Sequence, residues 1–203
     1  VWLVRQQNSV EWQLLKISCQ RSIMVKYLLL MLSVLATSLN AAETPKELPG
    51  EGFVGHLYEV GDLFLAGQPK TKAALESMAE QDVTLVVNLR TPEEMSSEEH
   101  PLPDEAELLG ELGIRYVSLP SGKDHPMNPD TVTAFAELMA TNEGKVLLHC
   151  GSSRRATHLW VAYLAEHKGM LLDRAIELGR QANFGTSALE GFLSRPIHYQ
   201  LQE

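Results

Sequence analysis

Lys145-Val146-Leu147-Leu148-His149-Cys150-Gly151-Ser152-Ser153-Arg154-Arg155-Ala156-Thr157 is the stretch on which the reading of this chain turns. An aliphatic run of strand length ends at His149, small residues turn the chain, and a helix-compatible segment follows at once. Strands buried on both faces read as such continuous apolar runs. Cys150 therefore stands at the carboxyl end of a strand, where open α/β sheets bind their ligands. Backbone N–H groups of a tight loop, with the unpaired N–H groups of a new helix, form an anion site. The same positive field, with Arg154 and Arg155 close by, favours a thiolate at Cys150. The planar fork of Arg155 can hold two oxygens of a phosphate. Gly151, Ser152 and Ser153 are small enough for the backbone to approach a ligand, and their hydroxyls can donate to an oxyanion or to a departing sulfur. Arg154 is either a ligand contact or a solvent-facing charge. His149 either tunes Cys150 through a hydrogen bond or is a satisfied core histidine.

Working outward, strand and helix patterns alternate. Leu63–Ala66 is a short strand ending at Gly67, and Thr71–Gln81 has helical spacing. Val83–Leu89 is a second aliphatic strand. Glu105–Leu112 is a helix closed by Gly113, and Ile114–Leu119 a strand ending at Pro120. Asn128 caps a helix that begins with Pro129 and is ended by Gly144. Helices follow over Arg155–His167, Leu172–Asn183 and Ser187–Ser194. This order predicts an α/β fold, with a mostly parallel central sheet flanked by helices, over residues 56–203. Prolines and glycines between 42 and 55 read as a linker.

The chain has 203 residues, 44% of them apolar, enough for an ordinary core. A net charge of -9 argues against a nucleic-acid partner. Met24 is followed by Lys26, a short apolar run and small residues, the pattern of a secretory signal peptide over 24–41. Cleavage is expected after Ala41, with Ser38 and Ala42 as alternatives. The run is short for a membrane span. A periplasmic or secreted protein without stable membrane insertion is expected, with a retained anchor the alternative. Residues 1–23 read as an over-extended gene start, so Cys19 is lost with it and Cys150 remains alone. A lone cysteine in an exported protein is a candidate reactive thiol, against the plainer reading of a small buried hydrophobe.

Four motifs occur in order: Ala66-Gly67-Gln68-Pro69; Val86-Val87-Asn88-Leu89-Arg90; Gly113-Ile114-Arg115-Tyr116-Val117-Ser118-Leu119-Pro120; and His149-Cys150, four residues, then Arg155-Ala156-Thr157. Together, from about Val60 to Asn183, they resemble the beta-lactamase-hydrolase-like protein phosphatases, bacterial relatives of the dual-specificity tyrosine phosphatases. The resemblance implies a dual-specificity-phosphatase-like fold and hydrolysis of phosphomonoesters through a phosphocysteine. Cys150 is then the nucleophile, and Arg155 with the loop from Gly151 to Ala156 holds the phosphate oxygens. His149 and Thr157 support the loop. The general acid is expected from the loop after Pro120, where Asp124 is the carboxylate before the next helix and His125 the second candidate. The substrate is a phosphorylated protein or a small phosphate ester, and neither metal nor cofactor is required.

The chain departs from the family in two places. Ser153 stands where many of these loops have glycine, so the turn is expected at Gly151. Four residues separate Cys150 from Arg155 where most tyrosine phosphatases have five. The shorter spacing is also that of rhodanese sulfurtransferases, which leaves a Cys150 persulfide, or a non-catalytic anion-binding module, as alternatives. Arg90 and Gln68 are expected to hold the fold together. Glu93–Glu94 and Glu98–Glu99 read as solvated charges.

Overall fold

A computed structural model describes residues 44–97, 102, 104–185 and 188–197. The expected gene start (1–23), the signal segment (24–41), and Glu98 and Glu99 lie outside the described residues. The two longest aliphatic runs form the centre of the sheet, β4 (Val83–Asn88) and β6 (Lys145–His149), paired in parallel. β3 (Leu63–Ala66) lies parallel on the other side of β6, and β5 (Arg115–Ser118) parallel on the outer side of β4. β1 (Lys46–Leu48) and β2 (Leu57–Val60) extend the sheet antiparallel beyond β3, giving the order β1-β2-β3-β6-β4-β5. The expected α/β fold with a mostly parallel sheet is the one observed.

Alternate residues of the central strands face opposite layers. Phe64, Ala66, Val86 and Leu147 pack with Ala74, Leu75 and Met78 of α1 (Lys72–Ala79) and Leu109 of α3 (Glu105–Glu111). Three helices build up around α5 (Arg154–His167): α4 (Pro129–Thr141), α6 (Leu172–Arg180) and α7 (Ala188–Leu193) pack on it, and it reaches β3 and β6. α5 is buried from Ala156 to Leu164, hence its nearly continuous apolar face. Asn128 caps α4 as expected, its side chain accepting from the Thr131 N–H at 3.0 Å.

From Thr44 onward, the segment expected as a linker over 42–55 belongs to the domain instead. Its Lys46–Leu48 segment is β1, and Phe53 is buried and bridges to Pro69. A three-residue edge strand between Pro45 and Pro49 is too short to show alternation, and proline is tolerated at such an edge. One further helix, the single turn α2 (Pro92–Met95), sits directly after β4.

Ala66, His149, Asn88 and Ser118 form one row at the carboxyl ends of β3, β6, β4 and β5. The loops leaving this row build the candidate site.

Candidate active site

Cys150 is buried, and its N–H donates to the Ala66 carbonyl at 3.3 Å. The loop then runs beside β3: the Gln68 N–H donates to Gly151 O at 3.2 Å, and Ser152 bridges to Gly67. The turn is made not at Gly151 but at Ser153, whose φ of 68° lies in the left-handed region. A Cβ at Gly151 would meet Arg155 Nη2 at 3.5 Å and Glu94 Oε1 at 3.9 Å, ordinary contacts that leave room for a side chain. The Ser153 carbonyl accepts from both the N–H and the hydroxyl of Thr157, at 2.9 and 3.1 Å. Ala156 is wholly buried at the start of α5.

Arg155 leaves the first turn of α5 and is held from four directions. Nη1 donates to Ser121 O (2.6 Å), Leu89 O (3.3 Å) and Glu94 Oε2 (2.8 Å), and Nη2 to Glu94 Oε1 (2.6 Å). Burial works against the guanidinium charge, but the bonds to Glu94 and the field of Cys150 outweigh it, and the Arg155 pKa is raised. Burial likewise pushes the Glu94 carboxyl up, while the bonds from Arg155 and Thr91 hold it below the usual range. Glu94 is thus no solvated charge, whereas Glu93 beside it is 65% exposed. The signal for Glu94 was a capping box: the Thr91 N–H donates to Glu94 Oε2 at 2.9 Å and the Glu94 N–H to Thr91 Oγ1 at 3.3 Å. Arg90 is buried, donates to the Glu94 carbonyl at 2.5 Å, and has its pKa lowered chiefly by burial. It braces the fold, as does its neighbour Asn88.

His149 points away from solvent into a polar layer under the loop. Its Nε2 lies 2.9 Å from Glu105 Oε1, both side chains being fully buried. The contact is at ion-pair distance but outside hydrogen-bond geometry. Glu105 Oε2 accepts from Asn88 Nδ2 at 3.3 Å, and the same amide lies 2.9 Å from the Tyr116 hydroxyl. Nothing in the sequence pattern points to Glu105, because it opens a helix far from His149 in sequence.

A cavity of about 470 Å³ opens over Arg155 and Glu94, lined also by Thr91, Glu93, Gly122, Lys123 and Asp124. Asp124 is exposed on its rim, and His125 Nε2 stands 4.0 Å from Glu93 Oε2. The loop carrying them is closed by Gly122 N–H to His125 O at 2.7 Å. Arg154 is exposed, runs along Gly185 and does not line the cavity. Cys150, Gly151, Ser152, Ser153 and Arg155 thus share one loop; of these Arg155 lines the cavity, as does Asp124, and Arg154 does not.

No family model and no curated protein matches the chain. Solved structures do. A candidate phosphatase of the DUF442 family from Shewanella putrefaciens CN-32 is 25% identical, over 63% of this chain and 79% of its own, with a TM-score of 0.50. TpbA of P. aeruginosa, crystallised with phosphotyrosine, is 18% identical over 70% of this chain and 80% of its own, TM-score 0.53. The kinase-associated phosphatase, with its catalytic cysteine replaced by serine, is 15% identical over 70% and 84%, TM-score 0.53. The fold is the one shared by tyrosine and dual-specificity phosphatases.

Proposed function

We propose that the chain is a cysteine-dependent phosphomonoester hydrolase. The observation that carries this reading is an anchored Arg155 that lines an open cavity together with Asp124 and interacts with the side chain of Cys150, five residues before it in the same loop. The Cys150 sulfur attacks phosphorus, the P–O bond to the leaving group breaks, and Asp124 gives its proton to the leaving oxygen. Water then attacks phosphorus with Asp124 taking its proton, the P–S bond breaks, and phosphate departs. Arg155 and the loop N–H groups meet the charge on the equatorial oxygens throughout. The DUF442 neighbour supports this reading, and the motifs from Ala66 to Thr157 favour its narrower placement among the beta-lactamase-hydrolase-like phosphatases. Phosphotyrosine in the P. aeruginosa neighbour supports a phosphorylated substrate. A periplasmic or secreted location belongs to this reading, supported by the signal-like pattern of residues 24–41.

The test is hydrolysis of an aryl phosphate by the purified chain, compared with Cys150→Ser and titrated with vanadate. Turnover lost in the variant and blocked by vanadate supports the proposal. Asp124→Asn then lowers kcat by about 10²–10⁴ for substrates with a poor leaving group. The four-residue spacing of Cys150 and Arg155 favours one second reading, sulfur transfer. Thiosulfate–cyanide turnover that is indifferent to Asp124→Asn would replace the phosphatase with it.

A further inference from the structure

Ser153 is wholly buried at φ 68°, where side-chain-bearing residues rarely sit. Such a conformation persists only where the surroundings over-determine it. Its own hydroxyl does not cap α5 but donates to the Ser152 carbonyl at 2.5 Å. A second donor reaches the same spot from the turn after α6. Asn183 Nδ2 donates to the Ser152 carbonyl at 2.5 Å and to Ser153 Oγ at 3.0 Å. One amide thus grips both the carbonyl before the left-handed residue and that residue's side chain.

The direction of this grip matters for an anion loop. A trans peptide points its C=O and N–H opposite ways. With the Ser152 carbonyl turned to Asn183, the Ser153 N–H is aimed away from Asn183. We propose that Asn183 is a positioning residue: it holds Ser153 in the left-handed conformation and thereby sets the direction in which the loop N–H groups present themselves to a bound oxyanion. The proposal rests on the oxyanion-loop reading given above. It also accounts for a serine where related loops use glycine, since the Asn183 amide supplies the restraint that a side-chain-bearing residue needs at this φ.

The experiment is a double-mutant cycle read by calorimetric vanadate affinity, with urea midpoints measured alongside. Asn183→Ala is made in the natural chain and in a Ser153→Gly background, where the left-handed conformation no longer needs holding. The expected result is a loss of about tenfold in vanadate affinity in the natural chain, shrinking to less than about twofold in the glycine background. A merely structural role for Asn183 would not be relieved by glycine at 153. If Asn183→Ala fails to fold, the isosteric Asn183→Asp takes its place, with the same loss expected. Unchanged affinity, or an equal loss in both backgrounds, overturns the proposal. A natural chain that binds no vanadate overturns the oxyanion-loop reading itself, a result distinct from an unaffected variant.

Discussion

Arg155 and Glu94 meet across 61 residues of sequence as a two-bond fork, Nη1 to Oε2 at 2.8 Å and Nη2 to Oε1 at 2.6 Å. Glu94 is itself fixed by its capping box with Thr91, and the Leu89 and Ser121 carbonyls take up the rest of Nη1. A guanidinium held this way loses little freedom when ligand arrives, which is where preorganised electrostatic catalysis gains.

Glu94→Gln is therefore expected to lower kcat/KM for an aryl phosphate by roughly 10²-fold, because the amide cannot accept twice from one guanidinium. The native pKa of Glu94 is depressed, so its contribution to stability is full above the unfolded carboxyl value and is lost as pH falls through the native one. The stability gap between natural chain and variant narrows accordingly on acidification. Urea titrations at pH 7 and pH 4 check this, and a constant gap would refute it.

The contrast between Glu94 and the rest of the site shows what local pattern carries. β3, β4 and β6 are legible because strands covered on both faces cannot alternate, and Asn128-Pro129 is legible because capping is local. The Cys150–Arg155 loop is legible because strand, turn and helix start occupy one short window. β1 and α2 are not, at three and four residues. The partners of Arg155, Ser153 and His149 come from distant segments, so only the folded chain reveals them. The turn at Ser153 is not legible either, because its left-handed φ goes with bonds to Thr157 and Asn183 and not with the preference of a serine.

Glu105 and His149 make a fully buried ionisable pair under the loop. Removing the Glu105 carboxyl group strips the buried layer of a polar partner, and Glu105→Ala is expected to cost about 1–3 kcal/mol. Asn88 loses an acceptor as well. Urea unfolding of the variant measures the cost, and a loss below about 1 kcal/mol would show that the pair is dispensable.

Gly67 threads between two backbones. A Cβ at this position would lie 1.7 Å from the Val54 carbonyl oxygen, which belongs to the main chain and cannot swing aside. Gly67→Ala must therefore displace the 54–56 segment or β3, at about 3 kcal/mol or more. Because Gly67 also bridges to Ser152, vanadate affinity is expected to fall with stability. A variant as stable as the natural chain, in a urea titration, would contradict the close approach.

His158 supplies a pH dependence of opposite origin to Glu94. Buried in α5, its Nδ1 is 2.8 Å from Arg154 O and its Nε2 2.8 Å from Gly185 O, with Phe184 stacked at 4.4 Å. Both carbonyls favour an imidazolium, since a neutral ring has one N–H to give. Burial acts against the charge more strongly, and the pKa is lowered from 6.5. The unfolded chain then takes up the proton before the native one does. The stability His158 contributes is full above about pH 6.5 and is lost as pH falls through the depressed native value. The natural chain should accordingly lose Tm between pH 7.5 and 5.5, and His158→Gln, which does not titrate, should lose less. The consequence reaches the site, because the segment His158 grips at Gly185 also carries Asn183, whose amide holds Ser152 and Ser153. Equal losses of Tm in the two proteins would assign the acid sensitivity to other groups and remove His158 from this account.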